Sequence, residues 1–317
     1  MFWCGAAFVD WCQLKAELRG NSCDEQSLPE VRLPTLPQAA TDFLSEVDAE
    51  DVRTDRLAAI IASDSGLSAR LLRFVNSGAV GLRREIDDVA AAVRMLGLRP
   101  CRMFVSVAAA EAAVAGLKSS IFHGPTLAST HLLRALFARE VAVRTGADDG
   151  LAFSAGLLQD VLLPVIAEER VADYIAIISS DDGPPLPAAE RLSLGWTHAE
   201  AAGSLLAGWG LPDNVVCCVW LHHDLPRVCA DAELRQSAAY AVALSALLPD
   251  GYRQVSGGMA TLLELSELDP RLDLDGVAAR VDEQADRMLP AGAPRIGLAR
   301  QIEAARRHRS AALSQAS

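Results

Sequence analysis

The sequence has few basic residues, and this excludes whole classes of partner. Lys and Arg number 29 against 41 Asp and Glu, which gives a net charge of −12 over 317 residues. Non-specific binding to nucleic acid or to an anionic membrane depends on Lys and Arg. The arginines that cluster between residues 70 and 102 are interrupted by Glu85, Asp87 and Asp88, which is typical of a solvated helical surface. We therefore expect no nucleic-acid partner.

Long apolar runs and a disulfide framework are also missing. We find no uncharged apolar stretch of about 18 residues, the length that a membrane-spanning helix needs. The first residues combine Trp3 with Asp10 and Lys15, whereas a signal peptide has a basic start and an apolar centre. The seven cysteines are odd in number, and Cys217 and Cys218 are adjacent, which fits reduced thiols in a cytosol. We expect a cytoplasmic protein without a membrane span.

Signals for strands, phosphate loops and hydrolase turns are sparse or absent. No alternating apolar pattern of useful length occurs, nor does a phosphate-cradling glycine loop or a Gly-x-Ser-x-Gly turn. What is present is helical periodicity, with Leu57, Ile60 and Ile61 at spacings of three and four. Because 51% of the residues are hydrophobic, there is enough material for a large core. The sequence predicts an all-α fold.

Three further segments carry helix signals. Thr197 and Glu200 have the spacing of a capping box, in which each side chain satisfies a backbone amide near the other residue. The apolar stretch 151–166 predicts one buried helix, which Pro164 kinks or ends because proline lacks a backbone donor. The tail from Arg295 onwards is rich in Arg and Ala and predicts a frayed or partner-dependent helix.

Histidines are scarce, and five of the six fall in one part of the chain. These are His123, His131, His198, His222 and His223. Asp160 lies between them on the apolar stretch, where an ionised carboxylate is costly unless it is paired, capping or ligated. Imidazoles and a carboxylate supplied by several helices resemble a metal site inside a helical bundle.

Each of these residues also has a purely structural interpretation. His131 near the start of a helix and His198 in the first turn of a capped helix are compatible with ordinary polar packing. His222 and His223 at a helix end interact favourably with the helix dipole. Cys218 and His222 are four residues apart and would form half of a zinc site, but no second pair with ligand spacing follows.

Several segments resemble the HDOD family. The specific parts are the helix that begins after Asp64 and ends at Asn76-Ser77, and the block from Trp209 to Pro212. The other matching segments are Leu33 to Pro37, Gly156 to Asp160, His198 to Glu200 and the His222-His223 pair. The resemblance covers about residues 30–230.

The resemblance implies a multi-helix, HD-like bundle with an N-terminal helical lobe. The chain then divides into an N-terminal extension (1–29), an N-terminal lobe (30–115), an HD-like lobe (116–234) and a C-terminal helical extension and tail (235–317). Family members are mostly bacterial signalling proteins, and the domain is generally regarded as non-catalytic.

The departures from active HD phosphohydrolases concern the metal ligands. Gln159 replaces the His of the His-Asp pair and is a weaker ligand for zinc, iron or manganese. The resemblance places the late Asp ligand near Ala239-Tyr240, where no carboxylate occurs. The remaining vestigial candidates are His131, Asp160, His198, His222 and His223. We expect no catalysis and no cofactor beyond a weakly bound divalent metal.

We therefore expect a bacterial regulatory scaffold that binds a signalling protein in trans, of the sensor kinase, cyclase or regulator class. The sequence leaves self-association open. One alternative is a sensor that binds a nucleotide or cyclic dinucleotide without cleaving it, for which Arg134, Arg139 and Arg144 would supply positive charge. The other is a metal-dependent phosphohydrolase or phosphodiesterase with an unusual ligand set that tolerates Gln159.

Overall fold

The structure is a computed structural model that describes residues 9–21, 36–47, 52–76, 86–115, 119–179, 183–252, 254–289 and 293–315. Every regular element in these ranges is a helix, and the prediction of an all-α fold is confirmed. The predicted signals at Trp3, Leu33 to Thr35 and Ser77 lie outside the described residues.

The chain forms two compact units. Unit 1 comprises residues 1–31, 118–208 and 213–317, and unit 2 comprises residues 32–117 and 209–212. Unit 1 therefore contains the first helix, α1 (Trp11–Asn21), together with all helices after residue 118. The helices of unit 2 are α2 (Gln38–Val47), α3 (Thr54–Ala62), α4 (Ser65–Asn76), α5 (Val89–Leu96) and α6 (Leu98–Ala115).

Unit 2 has its own apolar core, bounded by polar caps that the sequence indicates. Phe43, Leu57 and Leu71 are fully buried in it. The Asp64 carboxylate accepts a hydrogen bond from the Leu67 amide at 2.8 Å, which caps α4 as expected. At the other end of α4, the Asn76 side chain donates to the Ile86 carbonyl at 2.7 Å and accepts from the Ile86 amide at 2.8 Å. Asn76 thus fixes the entry to α5.

The helices of unit 1 after α1 are numbered along the chain. They are α7 (Gly124–Thr145), α8 (Asp149–Leu158), α9 (Leu163–Glu169), α10 (Val171–Ile178), α11 (Leu186–Leu194), α12 (His198–Gly208), α13 (Asp213–Trp220), α14 (Leu225–Ala230), α15 (Ala232–Arg235), α16 (Ala238–Ser245), α17 (Gly258–Leu268), α18 (Leu274–Met288) and α19 (Leu298–Gln315).

The centre of unit 1 is the packing of α7 against α8, with α16 against both. The two helices approach closely at Gly156, where a Cβ atom would lie 3.0 Å from the Cα of Ala135. A larger residue at position 156 would push the helices apart. Leu136, Phe137 and Leu158 are fully buried nearby, and their transfer from water stabilises this arrangement.

The sequence predicts a single helix over the apolar stretch 151–166, but in the structure this stretch is divided between two helices. α8 ends at Leu158, a turn covers residues 159–162, and Pro164 lies in the first turn of α9. Pro164 therefore begins a helix, because the first turn leaves its amides unpaired in any case. The combined stretch Asp149–Glu169 is long and apolar enough to span a membrane, but 78% of its most apolar window is buried inside the protein.

Both ends of the described chain pack on unit 1. Leu14 and Leu18 of α1 are buried, and Lys15 forms an ion pair of 2.5 Å with Asp213 of α13. The tail from Arg295, predicted to be frayed or partner-dependent, forms α19 and packs on α18. The Asp282 carboxylate accepts from the Leu298 amide at 2.8 Å and so caps α19 from a neighbouring helix.

Candidate metal centre

Four of the five predicted ligands come together in unit 1. Asp160 lies in the turn between α8 and α9, His198 begins α12, and His222 and His223 follow α13. One ligand atom from each residue lies within 4.8 Å of the others. His223 is partly buried, whereas the other three are about 1% exposed.

The fifth candidate, His131, lies outside this group. Its Nε2 atom is buried and has no hydrogen-bond partner. Burial lowers the pKa of His131, while the negative charge of Asp160 acts in the opposite direction. His131 is therefore a neutral imidazole beside the centre, and it contributes no ligand atom to the group of four.

Local structure explains why α12 and α13 bring their histidines together. The Thr197 amide donates to the Glu200 carboxylate at 2.9 Å, and the Glu200 amide donates to the Thr197 hydroxyl at 3.3 Å. This confirms the predicted capping box and fixes His198 in the first turn of α12. Further along α12, Gly203 lies against the indole ring of Trp220, where a Cβ atom would be 2.3 Å from Cε3. Only glycine permits this approach of the two helices.

Hydrogen bonds outside the group orient two of the imidazoles. His198 Nδ1 donates to Glu190 Oε2 at 2.7 Å, and the Tyr174 hydroxyl donates to Glu190 Oε1 at 2.5 Å. His222 Nδ1 donates to the Val219 carbonyl at 2.5 Å. Because a carboxylate and a carbonyl only accept, Nδ1 carries the proton in both rings, and Nε2 is left to act as a ligand.

Three of the separations between ligand atoms are close to those expected around one ion. Asp160 Oδ1 lies 3.4 Å from His198 Nε2 and 3.5 Å from His222 Nε2. The Nε2 atoms of His198 and His223 are 3.1 Å apart. Metal–ligand bonds of about 2.0–2.1 Å in a tetrahedron give donor separations of about 3.3–3.4 Å. The donor set therefore fits a single divalent ion of the zinc class.

Buried lone pairs support the same conclusion. Asp160 Oδ1 and His222 Nε2 are buried and have no hydrogen-bond partner. Burying such polar atoms without a partner costs about 1–3 kcal/mol each. Acceptor atoms that face one another at these distances repel unless a proton or a metal ion lies between them. The centre thus calls for a cation.

A proton on His198 supplies that positive charge when no metal is bound. Burial alone lowers the pKa of His198, but the charge of Glu190 and the nearby Asp160 outweigh it and raise the pKa to about 10. Burial lowers the pKa of His222 and, to a larger extent, that of His223. A metal ion at this centre must displace the proton of His198, because the ligand atom has to be deprotonated.

The second oxygen of Asp160 is taken by an arginine. Arg134 Nη1 donates to Asp160 Oδ2, and its Nη2 donates to Asp250 Oδ2 at 2.7 Å. Burial raises the pKa of Asp160, but Arg134 and the two neighbouring imidazoles outweigh it and hold the pKa well below its usual value. Asp160 is therefore an anion that interacts with the imidazoles through one oxygen and with Arg134 through the other.

The HDOD domain profile matches residues 33–225 of this sequence. The chain belongs to the HDOD family. A curated relative, an uncharacterized protein from Treponema pallidum (strain Nichols), is 26% identical over 200 residues, which are 61% of this chain and 38% of that protein. The chain thus spans about two fifths of that relative's length.

Solved structures share the HD-like helical fold. An HDOD domain protein of unknown function from Geobacter sulfurreducens is 23% identical, with a TM-score of 0.56 and coverage of 92% of each chain. A protein from Shewanella amazonensis SB2B that is provisionally named a phosphohydrolase is 22% identical, with a TM-score of 0.61 and coverage of 92% of this chain and 97% of that one. At these identities the similarity shows the fold alone.

In this HDOD protein, Gln159 does not reach the centre. The side chain is fully buried, and its Nε2 donates to the Gly156 carbonyl at 3.0 Å and to the Ser245 hydroxyl at 3.3 Å. Ser245 of α16 thus contacts Gln159. Ala239 and Tyr240, where the resemblance places the late Asp ligand, lie near the other end of α16.

Sequence reasoning missed Glu190, and it assigned Arg134 to a different role. Glu190 is completely buried on α11 beside Leu186, so an acidic residue on the apolar face of that helix was the available signal. The sequence offers Arg134 as a contact for an anionic ligand, but in the structure it pairs with Asp160 inside the protein. The suggested Cys218–His222 half-site does not form part of the group, which contains no cysteine.

Proposed function

We propose that this HDOD protein is a regulatory module that acts by binding a signalling protein and not by hydrolysis. The observation that supports this is the donor set of Asp160, His198, His222 and His223, which is sufficient to fill all four positions of a tetrahedral ion. Catalytic metal sites keep a coordination position open for water or substrate, whereas structural sites fill all four with protein ligands. A divalent ion held by these residues would join the α8–α9 turn to α12 and α13 and stabilise the fold.

Limited space around the centre supports a structural role. Asp160, His198 and His222 are each about 1% exposed. A cavity of about 20 Å³ lies beside Arg134, between α7, the segment after α16 and the start of α19. That volume is enough for one water molecule, and none of the four ligands lines the cavity.

The pairing of the arginines argues against an anion sensor at this place. Arg134 faces two buried carboxylates, Arg139 lies 3.3 Å from Asp149, and Arg144 lies 3.9 Å from Asp273. Guanidinium groups that are already paired with aspartates offer little attraction to a phosphate. Hydrolysis is the alternative to be tested, since one relative with the same fold carries a phosphohydrolase name.

The partner that we propose is a protein of a bacterial signalling pathway, of the sensor kinase, cyclase or regulator class, bound in trans in the cytoplasm. The family is consistent with this role, and the net charge of −12 disfavours nucleic acid. The partner would recognise the surface of the helical scaffold, and metal binding would serve to hold that scaffold in shape.

The experiment combines metal analysis with an assay for turnover. We would load the purified protein with Co²⁺, record its visible absorption, and offer it a chromogenic phosphodiester and a cyclic dinucleotide. The matched control is Asp160→Asn, which removes the single anionic ligand. We expect one tetrahedral ion per chain and no turnover above that of the control. Turnover that stops with chelator and is absent in Asp160→Asn would refute the proposal.

A further inference from the structure

Four oxygen atoms converge on the guanidinium group of Arg134 inside unit 1. Nη1 donates to Asp160 Oδ2 and, at 2.8 Å, to Gln254 Oε1. Nη2 donates to Asp250 Oδ2 at 2.7 Å and to the Leu248 carbonyl at 3.2 Å. The Arg134, Asp160 and Asp250 side chains are 2% exposed or less. A single buried positive charge is thus enclosed by two carboxylates, an amide oxygen and a backbone carbonyl.

This set of oxygens is the kind that hard divalent cations bind. Mg²⁺, Ca²⁺ and Mn²⁺ prefer carboxylate, amide and carbonyl oxygens, often completed by water. A guanidinium group satisfies the same acceptors through its planar array of N–H donors. We propose that Arg134 is a built-in cation that fills a second cation position next to the candidate metal centre. This inference rests on the proposed function, because it takes the centre formed by Asp160 and the histidines as the first cation position.

Asp160 is the residue that the two positions share. Its Oδ1 faces His198 and His222 at 3.4 and 3.5 Å, and its Oδ2 faces Arg134. A carboxylate that directs each oxygen towards a different cation is the usual bridge between two adjacent metal ions, about 3.5–4 Å apart in two-metal enzymes. Here one of the two cations is part of the chain. The protein therefore takes one metal ion, and the two-metal arrangement that clamps a phosphate is blocked.

Arg134 also holds the segment between α16 and α17 to the centre. Asp250 accepts from the Tyr252 amide at 2.7 Å through Oδ1 while its Oδ2 binds Arg134. Gln254, 2% exposed, directs its amide oxygen to the same guanidinium. Removing the charge of Arg134 would leave Asp160 Oδ2 and Asp250 Oδ2 buried without the cation that now pairs with both, a condition that a divalent cation relieves.

The test is the number of Mn²⁺ ions bound per chain, measured by equilibrium dialysis and elemental analysis. Arg134→Met keeps an unbranched, although shorter, side chain and removes its charge, and Arg134→Lys is the matched control that keeps the charge. We expect one ion for the wild type and for Arg134→Lys, and two for Arg134→Met. Adding Asp250→Asn to Arg134→Met removes one of the two carboxylates and should return the number to one. Magnetic coupling between the two Mn²⁺ ions would show that they share Asp160.

Each outcome decides the inference. Two ions in the wild type, or equal numbers in the wild type and Arg134→Met, overturn it. If Arg134→Met is unfolded in chelator, circular dichroism during a Mn²⁺ titration replaces the count: recovery of the helical signal supports the inference, and no recovery overturns it. If the wild type binds no ion and Arg134→Met binds one, the result supports a cation position at Arg134 and rejects the Asp160–histidine centre.

Discussion

Replacing Gly203 with alanine tests whether the contact between α12 and α13 sets the geometry of the centre. The added Cβ would lie 2.3 Å from Trp220 Cε3 and 2.7 Å from Cδ2. Carbon atoms in contact are about 3.5–4.0 Å apart, so the ring or the helix must move by at least about 1 Å. Trp220 is 6% exposed, and its ring has little room to move. Overpacking of this kind costs about 1–3 kcal/mol.

Gly208→Ala is the matched control, because it makes the same change on the same helix. A Cβ at position 208 meets no atom within 4 Å. Both variants gain helix propensity, at most about 1 kcal/mol for an interior position. The difference between the two in free energy of unfolding should therefore be about 1–3 kcal/mol, with Gly203→Ala the less stable. Urea unfolding followed by circular dichroism, in the presence of chelator, measures it.

The same substitution should weaken metal binding. His198 lies on the helix of Gly203, and His222 follows Trp220 by two residues. A metal site tolerates errors of about 0.2 Å in its ligand distances, and the expected displacement is several times larger. We expect the Zn²⁺ affinity of Gly203→Ala to fall at least about tenfold, or about 1.4 kcal/mol, in competition with a chromophoric chelator. Equal stability and equal affinity in the two glycine variants would refute the reasoning.

Four further predictions concern the surroundings of the centre and the tail. Glu190→Gln should lower the metal affinity about 10- to 100-fold, because the carboxylate orients His198, and an unchanged affinity in chelator competition would contradict that role. In the metal-free protein, the raised pKa of His198 contributes stability that is complete below 6.5 and is lost as the pH rises through about 10. Urea unfolding of the wild type between these pH values should show the decline, and Glu190→Gln should show less of it. Asp282→Ala removes the cap of α19 and should lower the free energy of unfolding by about 1 kcal/mol. Hydrogen exchange should become faster at the start of α19 and stay unchanged elsewhere. Gln159→His should leave the number of bound ions unchanged, because position 159 faces Ser245, and a second ion would show that the side chain can turn towards the centre.

The helices and their caps could be predicted because their signals are local. The hydrogen bonds of these caps join residues that are close in sequence: three residues apart for Asp64 and for the Thr197–Glu200 pair, and ten for Asn76. The predicted ligands Asp160, His198, His222 and His223 stood out because histidines are rare in this chain and an acidic residue on an apolar stretch needs a partner.

The partners of the buried charges could not be predicted, because they lie far away in sequence. Asp250 is 116 residues from Arg134, and nothing near either residue indicates the pairing. The residue of α16 that contacts Gln159 could not be predicted for a related reason. Residues 238–245 are all buried, so periodicity does not tell which side of the helix faces the Gln-Asp pair. Only the packing with α7 and α8 selects Ser245.

The discontinuous course of unit 1 has a consequence for biosynthesis. The Trp11 carbonyl of α1 accepts a hydrogen bond from Cys217 of α13, 206 residues further along the chain. At translation rates of about 5–20 residues per second, α1 leaves the ribosome about 10–40 seconds before its partner is made. Unit 2 consists of residues 32–117 and 209–212, and its synthesis is completed after that of α1 and before that of α13. During that interval Val9, Leu14 and Leu18 lack the surface that later buries them, so this apolar face of the nascent chain stays in contact with water.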